Sequence, residues 1–151
     1  MDEASRRMTN ALKTAIRREE RTAKAYEQKA KKLTDASAKK VLQILVKQEL
    51  GHAKKIQVVL DKGLDLSRIG KNSKTQLAEL HVLNDDVRRL EKTREAVRVL
   101  KSAVKAEENS CRLYRSLEKI FKGADVAVLF GKLAEEEEKH KARLEKTLAR
   151  I

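Results

Sequence analysis

One pattern of glutamate, tyrosine, glutamate and histidine occurs twice in this chain with identical spacing. The first copy reads E-x6-Y-x22-E-x2-H and consists of Glu19, Tyr26, Glu49 and His52. The second copy keeps both long gaps and lies 88 residues further along the chain. Without gaps, residues 12–60 and 100–148 are identical at twelve of forty-nine positions, which indicates one structural unit used twice. The second copy consists of Glu107, Tyr114, Glu137 and His140.

Apolar residues recur in three- and four-residue steps through both copies, which predicts amphipathic helices. The chain has no proline, with 39% charged and 40% hydrophobic residues, a composition typical of long helices. On the third helix we expect the inward face to hold Val97, Leu100, Ala103, Val104, Glu107, Cys111, Tyr114 and Leu117. The predicted helices run from about Ser5 to Leu33, from after Asp35 to Lys62 before Gly63, from Thr93 to Phe121, and from after Asp125 to the C-terminus.

The predicted fold is an all-α four-helix bundle built from two antiparallel helical hairpins. Short turns within each hairpin make its helices antiparallel, and the long middle segment crosses between the hairpins. We expect one domain over residues 1–151, with hairpin 1 at about 5–62, the crossover at about 63–92 and hairpin 2 at about 93–151. Inside the crossover, Ser73 is expected to cap either a short helix that ends near residues 84–86 or a helix that continues into the next segment. A crossover of this length is compatible with a domain-swapped homodimer.

The doubled pattern predicts a site for two metal ions in the bundle core. Residues three apart share one helix face, so Glu49 with His52, and Glu137 with His140, can each bind one ion. Glu19 and Glu107 add one carboxylate from each remaining helix, which completes the ligand pattern of carboxylate-bridged two-metal bundles. Four ionised glutamates balance two divalent cations. Without metal they would repel one another in the core. Mixed oxygen and nitrogen donors suit iron or manganese.

Spacing alone leaves more than one role open for the other polar residues near this pattern. Tyr26 and Tyr114 each follow a glutamate by two turns, so each hydroxyl can bond a ligand carboxylate of the other hairpin, or simply fill the core. Glu136 also lies within one turn of His140. The repeat selects Glu137 instead, because Glu49 occupies the equivalent position in the first copy.

The bulk composition favours some classes of protein over others. No apolar run is long enough to span a membrane, and the N-terminus lacks the apolar region of a secretory signal. A single cysteine excludes an intrachain disulfide, which is compatible with a cytoplasmic location. The net charge is +13, but the basic residues are spread along every helix. That distribution favours solvated helix faces over a nucleic-acid interface.

Two pairs of segments carry a resemblance to a known family. The sequences AIRREERTAKAYEQKA…LVKQELGHA and AVKAEENSCRLYRSLEK…LAEEEEKHK resemble the rubrerythrin-like branch of the ferritin-like superfamily. The resemblance implies a ferritin-like bundle with two iron ions, although manganese or a mixed pair remains open. It also implies reaction with peroxide or dioxygen. The ligands it implies are Glu19, Glu49, His52, Glu107, Glu137 and His140.

Three departures from the family pattern affect the expected function. Rubrerythrins carry a rubredoxin module with paired cysteines, whereas this chain has only Cys111, so we expect a separate electron donor. They also carry an extra glutamate three residues after the third-helix ligand, where this chain has Ser110. Cys111 lies one turn after Glu107. It is expected to be redox-active, sacrificial, or a small core residue like its counterpart Ala23.

These observations leave three functions open. The first is a di-iron oxidoreductase that reduces hydrogen peroxide or dioxygen, or oxidises ferrous iron. The basic net charge of the chain would guide an acidic electron carrier to it. The second is a non-catalytic iron- or manganese-binding ferritin-like protein, which the serine at position 110 favours. The third is a basic helical adaptor with a vestigial site. His81 in the crossover has no partner at ligand spacing, so we expect it to have no metal role.

Overall fold

The computed structural model describes residues 2–64 and 94–150, and within them the chain is almost entirely helical. Four helices are present there, and no strand lies in these ranges. Their bounds agree with the predicted ones to within two residues, which confirms the all-α prediction. The predicted crossover helix and His81 lie outside the described residues. The helices are α1 (Glu3–Lys32), α2 (Ala36–Lys62), α3 (Arg94–Ile120) and α4 (Val126–Arg150).

Local signals in the sequence account for the ends of the first two helices. Asp2 precedes α1 and its carboxylate accepts a hydrogen bond from the Ser5 amide at 2.7 Å. Asp35 precedes α2 in the same way and accepts from the Ala38 amide at 3.0 Å. Such caps satisfy amide groups that have no partner within the helix. Gly63 ends α2 with φ of 84°, a conformation that glycine adopts without strain.

The helices pair into two hairpins. Helix α1 packs along α2, and α3 packs along α4. A five-residue turn joins α3 to α4, and Gly123 in that turn has φ of 92°. Two antiparallel hairpins packed against each other form a four-helix bundle of the ferritin-like kind, as the sequence predicted.

Contacts of Glu95 show how the hairpins are arranged. Its Oε1 accepts hydrogen bonds from the Thr34 amide at 2.7 Å and the Asp35 amide at 3.3 Å, and its Oε2 accepts from the Thr34 hydroxyl at 2.9 Å. The start of α3 therefore lies beside the turn between α1 and α2. The end of α2 at Lys62 and the start of α3 at Arg94 therefore lie at opposite ends of the bundle.

Two apolar clusters fill the ends of the bundle. The first occupies the end at which α3 begins, and the second occupies the end at which α4 begins. Burying these side chains supplies the main driving force for packing the hairpins together. The largest buried apolar side chains of the first cluster are Tyr26, Leu42, Leu45, Leu100 and Leu144. Those of the second cluster are Leu12, Ile56, Tyr114, Phe130 and Leu133.

The inward face of α3 differs in detail from its prediction. Val97 and Val104 are only half-buried, whereas Ala96 and Val99 are fully buried. Ala96 and Val99 lie one helical turn before Leu100 and Ala103, so they share the face that meets the other helices. The predicted buried face of α3 is therefore rotated slightly about the helix axis relative to the observed one.

The outer faces of the helices are charged and exposed. Arg21, Lys24 and Lys31 on α1 and Lys54 on α2 are examples of exposed basic residues. Several basic side chains lie near acidic ones, such as Arg112 near Glu108 at 2.7 Å. None of the helices in the described ranges combines the length and the apolarity needed to cross a membrane.

Candidate metal centre

A layer of acidic and histidine side chains separates the two apolar clusters. Each helix contributes to it from its inward face: α1 and α3 provide one glutamate each, while α2 and α4 each provide a glutamate and a histidine. None of the six is more than 6% exposed. Carboxylates are almost never buried to this degree unless they are paired or bind a metal. The six residues are Glu19, Glu49, His52, Glu107, Glu137 and His140.

The structure brings these residues into two overlapping groups. In the first, donor atoms of Glu19, Glu49, His52 and Glu137 all lie within 4.8 Å of one another. The second group, by the same measure, consists of Glu107, Glu137 and His140. Glu137 therefore belongs to both groups. A carboxylate placed between two ligand sets is suited to bridging two ions.

The two histidines present the same ring nitrogen to the carboxylates. His52 Nδ1 lies 2.8 Å from Glu137 Oε1 and 3.7 Å from Glu19 Oε2. His140 Nδ1 lies 3.8 Å from Glu107 Oε2. The two imidazole rings are nearly parallel, at 8°, with centroids 6.4 Å apart. Both Nδ1 atoms thus face carboxylates in the interior of the layer.

Many donor atoms of this layer have no hydrogen-bond partner although they are buried. They include both carboxylate oxygens of Glu49 and of Glu137, and the Nδ1 atoms of His52 and His140. His52 Nδ1 is close to Glu137 Oε1, but the pair lacks the angular geometry of a hydrogen bond. Buried polar atoms without partners are costly, and bound cations would satisfy them. The donor set therefore fits divalent metal ions.

Electrostatics in the layer favour retention of protons when no cation is present. Burial raises the pKa of Glu49 well above its usual range, and the charges of Glu137 and Glu107 raise it further. Burial and the neighbouring Glu107 have the same effect on the pKa of Glu137. Burial opposes ionisation of Glu19 as well, but its contacts with Glu49 and His52 outweigh this and lower its pKa.

Glu107 and His52 complete this pattern. Burial opposes ionisation of Glu107, yet its contacts with Glu137 and His140 lower its pKa. Burial alone would lower the pKa of His52, but contacts with Glu136, Glu137 and other carboxylates raise it well above its usual range. In the metal-free layer, Glu49, Glu137 and His52 therefore keep their protons to a higher pH than usual. Divalent cations can replace those protons.

Both tyrosines of the repeat make contacts between hairpins. The Tyr26 hydroxyl donates to Glu107 Oε1 at 3.4 Å, and the Tyr114 hydroxyl donates to Glu19 Oε1. Both side chains are at most 2% exposed, and burial raises the pKa of each phenol above its usual range. The hydroxyls are therefore neutral donors, each of which holds the single glutamate of the opposite hairpin.

Glu136 has a role that the sequence did not predict. Its Oε2 lies 2.8 Å from His52 Nε2, and its Oε1 accepts a hydrogen bond from Lys55 Nζ at 3.3 Å. Burial opposes its ionisation, but His52 and Lys55 together lower the pKa of Glu136 to about 2. The sequence had offered Glu136 only as a rival of Glu137. Its partner lies on the other hairpin, and spacing along one helix carries no signal for such a contact.

Ser110 and Cys111 follow Glu107 on α3 but differ in environment. Ser110 is buried, at 2% exposure, and offers a hydroxyl in place of a carboxylate. Cys111 is half-buried, and its thiol donates to Glu138 Oε1 at 3.4 Å near the outer edge of α3 and α4. Burial raises the pKa of this thiol to about 11. The thiol is therefore protonated near neutral pH. The side chain also packs at the margin of the second apolar cluster, in line with the expectation of a small core residue.

Fold and site together define a ferritin-like four-helix bundle with a buried carboxylate and histidine cluster that can bind metal. Residues 98–151, which contain most of α3 and all of α4, match the family model described as Rubrerythrin. This match covers about a third of the chain, and it confirms the rubrerythrin-like resemblance predicted from the sequence. No curated protein and no solved structure matches the chain.

Proposed function

We propose that this chain is a rubrerythrin-like di-iron oxidoreductase that reduces hydrogen peroxide or dioxygen, or oxidises ferrous iron. One observation carries the proposal: eight buried donor atoms of the six clustered residues lack hydrogen-bond partners, in two groups that share Glu137. The match of residues 98–151 to the Rubrerythrin family model supports iron as the metal.

Each group of side chains would hold one ion. Glu19, Glu49 and His52 would hold the first ion, and Glu107 and His140 would hold the second, with Glu137 available to both because it belongs to both groups. Four carboxylates neutralise two divalent cations, so the loaded centre carries no net charge in the core. Oxygen and nitrogen donors in this proportion suit iron, and they also accommodate manganese or a mixed pair.

Two ferrous ions, when bound, supply one electron each, which together with two protons reduce hydrogen peroxide to two water molecules. The chain's own residues would bind the ions and orient the carboxylates that hold them. Tyr26 and Tyr114 hold the carboxylates of Glu107 and Glu19, and the apolar clusters on both sides limit water in the layer. We propose that a separate one-electron carrier returns the two electrons, and that the +13 charge favours an acidic one.

A second candidate function is iron or manganese binding without turnover. The observation that favours it is Ser110, which is buried three residues after Glu107 and provides no additional carboxylate. Under this second function the two groups would hold metal in the same way, but the metal ions would not undergo efficient repeated oxidation by peroxide and re-reduction. A third candidate, a basic helical adaptor, requires no metal.

Metal analysis and one redox assay separate these functions. We expect the purified protein, reconstituted anaerobically with ferrous iron, to bind about two ions per chain. Peroxide should then be consumed at about one molecule per two ferrous ions, with a change in visible absorption as the iron is oxidised. Two bound ions without rapid peroxide or dioxygen consumption would support the binding protein. Absence of stoichiometric metal, with unchanged stability in Glu49→Ala, would leave only the adaptor.

A further inference from the structure

The outward-facing nitrogen of His52 is held by an ion pair. His52 Nδ1 faces the other ligands, and Nε2 lies 2.8 Å from Glu136 Oε2. The second oxygen of Glu136 contacts Lys55 at 3.3 Å. The Glu136 side chain is 13% exposed, so it is largely sheltered from water. A carboxylate bonded to the outer nitrogen of a ligand histidine fixes the ring orientation and makes the inner nitrogen a stronger donor.

The repeat predicts an equivalent arrangement around His140, and the sequence lacks it. The position equivalent to Glu136 is Gln48, 88 residues earlier, and the position equivalent to Lys55 is Arg143. The second half of the centre therefore keeps a basic side chain, Arg143, but has the neutral amide of Gln48 in place of the carboxylate. Gln48 Oε1 and Arg143 Nη1 are both buried without a hydrogen-bond partner.

The two groups also differ in the number of residues that they contain. The group around His52 contains four residues, because Glu137 reaches it from the other hairpin. The group around His140 contains three, all of them from the second hairpin. Fewer ligands, and a neutral amide at the position equivalent to the carboxylate that contacts the outer nitrogen of His52, both weaken the binding of a cation.

We propose that Glu136 is a positioning residue for His52, and that it makes the metal position of Glu19, Glu49 and His52 bind its ion more tightly than the position of Glu107 and His140. The tight position fills first and retains its ion, while the other exchanges. This inference rests on the metal-binding part of the proposed function and is independent of any redox reaction.

Anaerobic titration of the metal-free protein with cobalt(II) tests the proposal, because its visible absorption reports the ligands of each bound ion. Wild type should bind two ions in separate steps. His52→Ala should remove the first step, and His140→Ala should remove the second. Glu136→Gln keeps the size of the side chain and should weaken the first step about 10- to 100-fold while leaving the second unchanged. It should also shift the absorption bands of the first ion.

Gln48→Glu is the reciprocal variant. It supplies a carboxylate at the equivalent position of the second half, and should strengthen the second step until the two steps approach each other. Gln48→Glu still tests whether a carboxylate at this position strengthens metal binding if Glu136→Gln does not fold. Thermal unfolding of the metal-free variants separates a general loss of stability from a change in one binding step.

Specific outcomes overturn the inference. Two equal steps in wild type would show that the halves are equivalent. Unchanged steps in both Glu136→Gln and Gln48→Glu would show that these residues do not tune the histidines. Failure of wild type to bind cobalt would overturn the proposed function together with this inference. Two unequal steps without peroxide or dioxygen reactivity would overturn only the oxidoreductase proposal.

Discussion

The two hairpins share their inward-facing candidate ligands but differ in the residues that surround them. Each carries the same glutamate, tyrosine, glutamate and histidine at the same spacing. Yet His52 of the first hairpin is contacted by Glu136 and Glu137 of the second, while the group around His140 contains no residue of the first. Duplication therefore preserves the ligands themselves, whereas the residues that support them have diverged. The four predictions below test this difference, beginning with the largest expected effect.

Loss of Glu137 should affect both halves of the centre. Because Glu137 belongs to both groups of donors, Glu137→Ala should reduce bound metal from about two ions per chain to nearly none. Metal content after anaerobic ferrous reconstitution measures this. Glu135→Ala is the matched control, since Glu135 is exposed on the same helix and should retain both ions. Retention of one ion by Glu137→Ala would show that the shared carboxylate is dispensable for one half.

Loss of Glu107 should affect only the second half. Glu107 belongs to the group of His140 alone, so Glu107→Ala should retain about one ion per chain, at the position of His52. The control is Glu108→Ala, because Glu108 pairs with Arg112 on the outer face of the same helix. The same titration with cobalt(II) should show the first step intact. Equal metal loss in both variants would mean that the inward face of α3 is wrongly placed.

Metal binding should release protons and strengthen as the pH rises. The pKa values of Glu49, Glu137 and His52 are raised in the metal-free centre, so these groups hold protons that a cation must displace. While the pH is below those raised values, each proton released increases affinity up to about tenfold per pH unit. Cobalt(II) affinity measured over a pH series checks this.

The pH series also compares the two halves. The first contains both Glu49 and His52, so its affinity should rise more steeply with pH than that of the second. In Glu49→Gln the amide holds no ionisable proton, and the slope of the first step should decrease. An affinity that does not change with pH would contradict the protonation of these residues.

The two tyrosines should contribute unequally to stability, and this is the smallest of the expected effects. Tyr114→Phe removes the hydroxyl that donates to Glu19, and should lower the free energy of unfolding by about 1–2 kcal/mol. Tyr26→Phe should cost less, because the bond from Tyr26 to Glu107 is long, at 3.4 Å. Urea denaturation of the metal-free variants gives both values. A larger loss in Tyr26→Phe would reverse this order.

Much of the fold could be predicted because its signals are local. Helix α1 starts after an aspartate and α2 stops at a glycine, and the apolar steps between such signals follow the helical period. The predicted single domain and homodimer remain predictions. The face of α3 was misjudged at Val97 and Val104, because a wide apolar stripe does not reveal which of its edges meets the neighbouring helix.

The candidate site was predictable to the extent that it repeats. Helix phase placed the six acidic and histidine residues inward, and the repeat separated Glu137 from Glu136. The structure buries all six together and gives both tyrosines partners across the hairpins. The hydrogen bond from Cys111 to Glu138 could not be predicted, because it joins α3 to α4 and spacing along one helix carries no signal for it.

The sequence by itself determined four amphipathic helices, their pairing into two similar hairpins, and most of the residues on their inward faces, because the helical period depends only on neighbouring residues. Only the tertiary structure decided that Glu137 joins the group of His52 and that Glu136 contacts its outer nitrogen. Those contacts join helices α2 and α4, and their formation depends on how side chains of two helices interlock and set the rotation of each helix. The difference between the two halves therefore arises from packing between the hairpins and from substitutions such as Gln48 in place of Glu136.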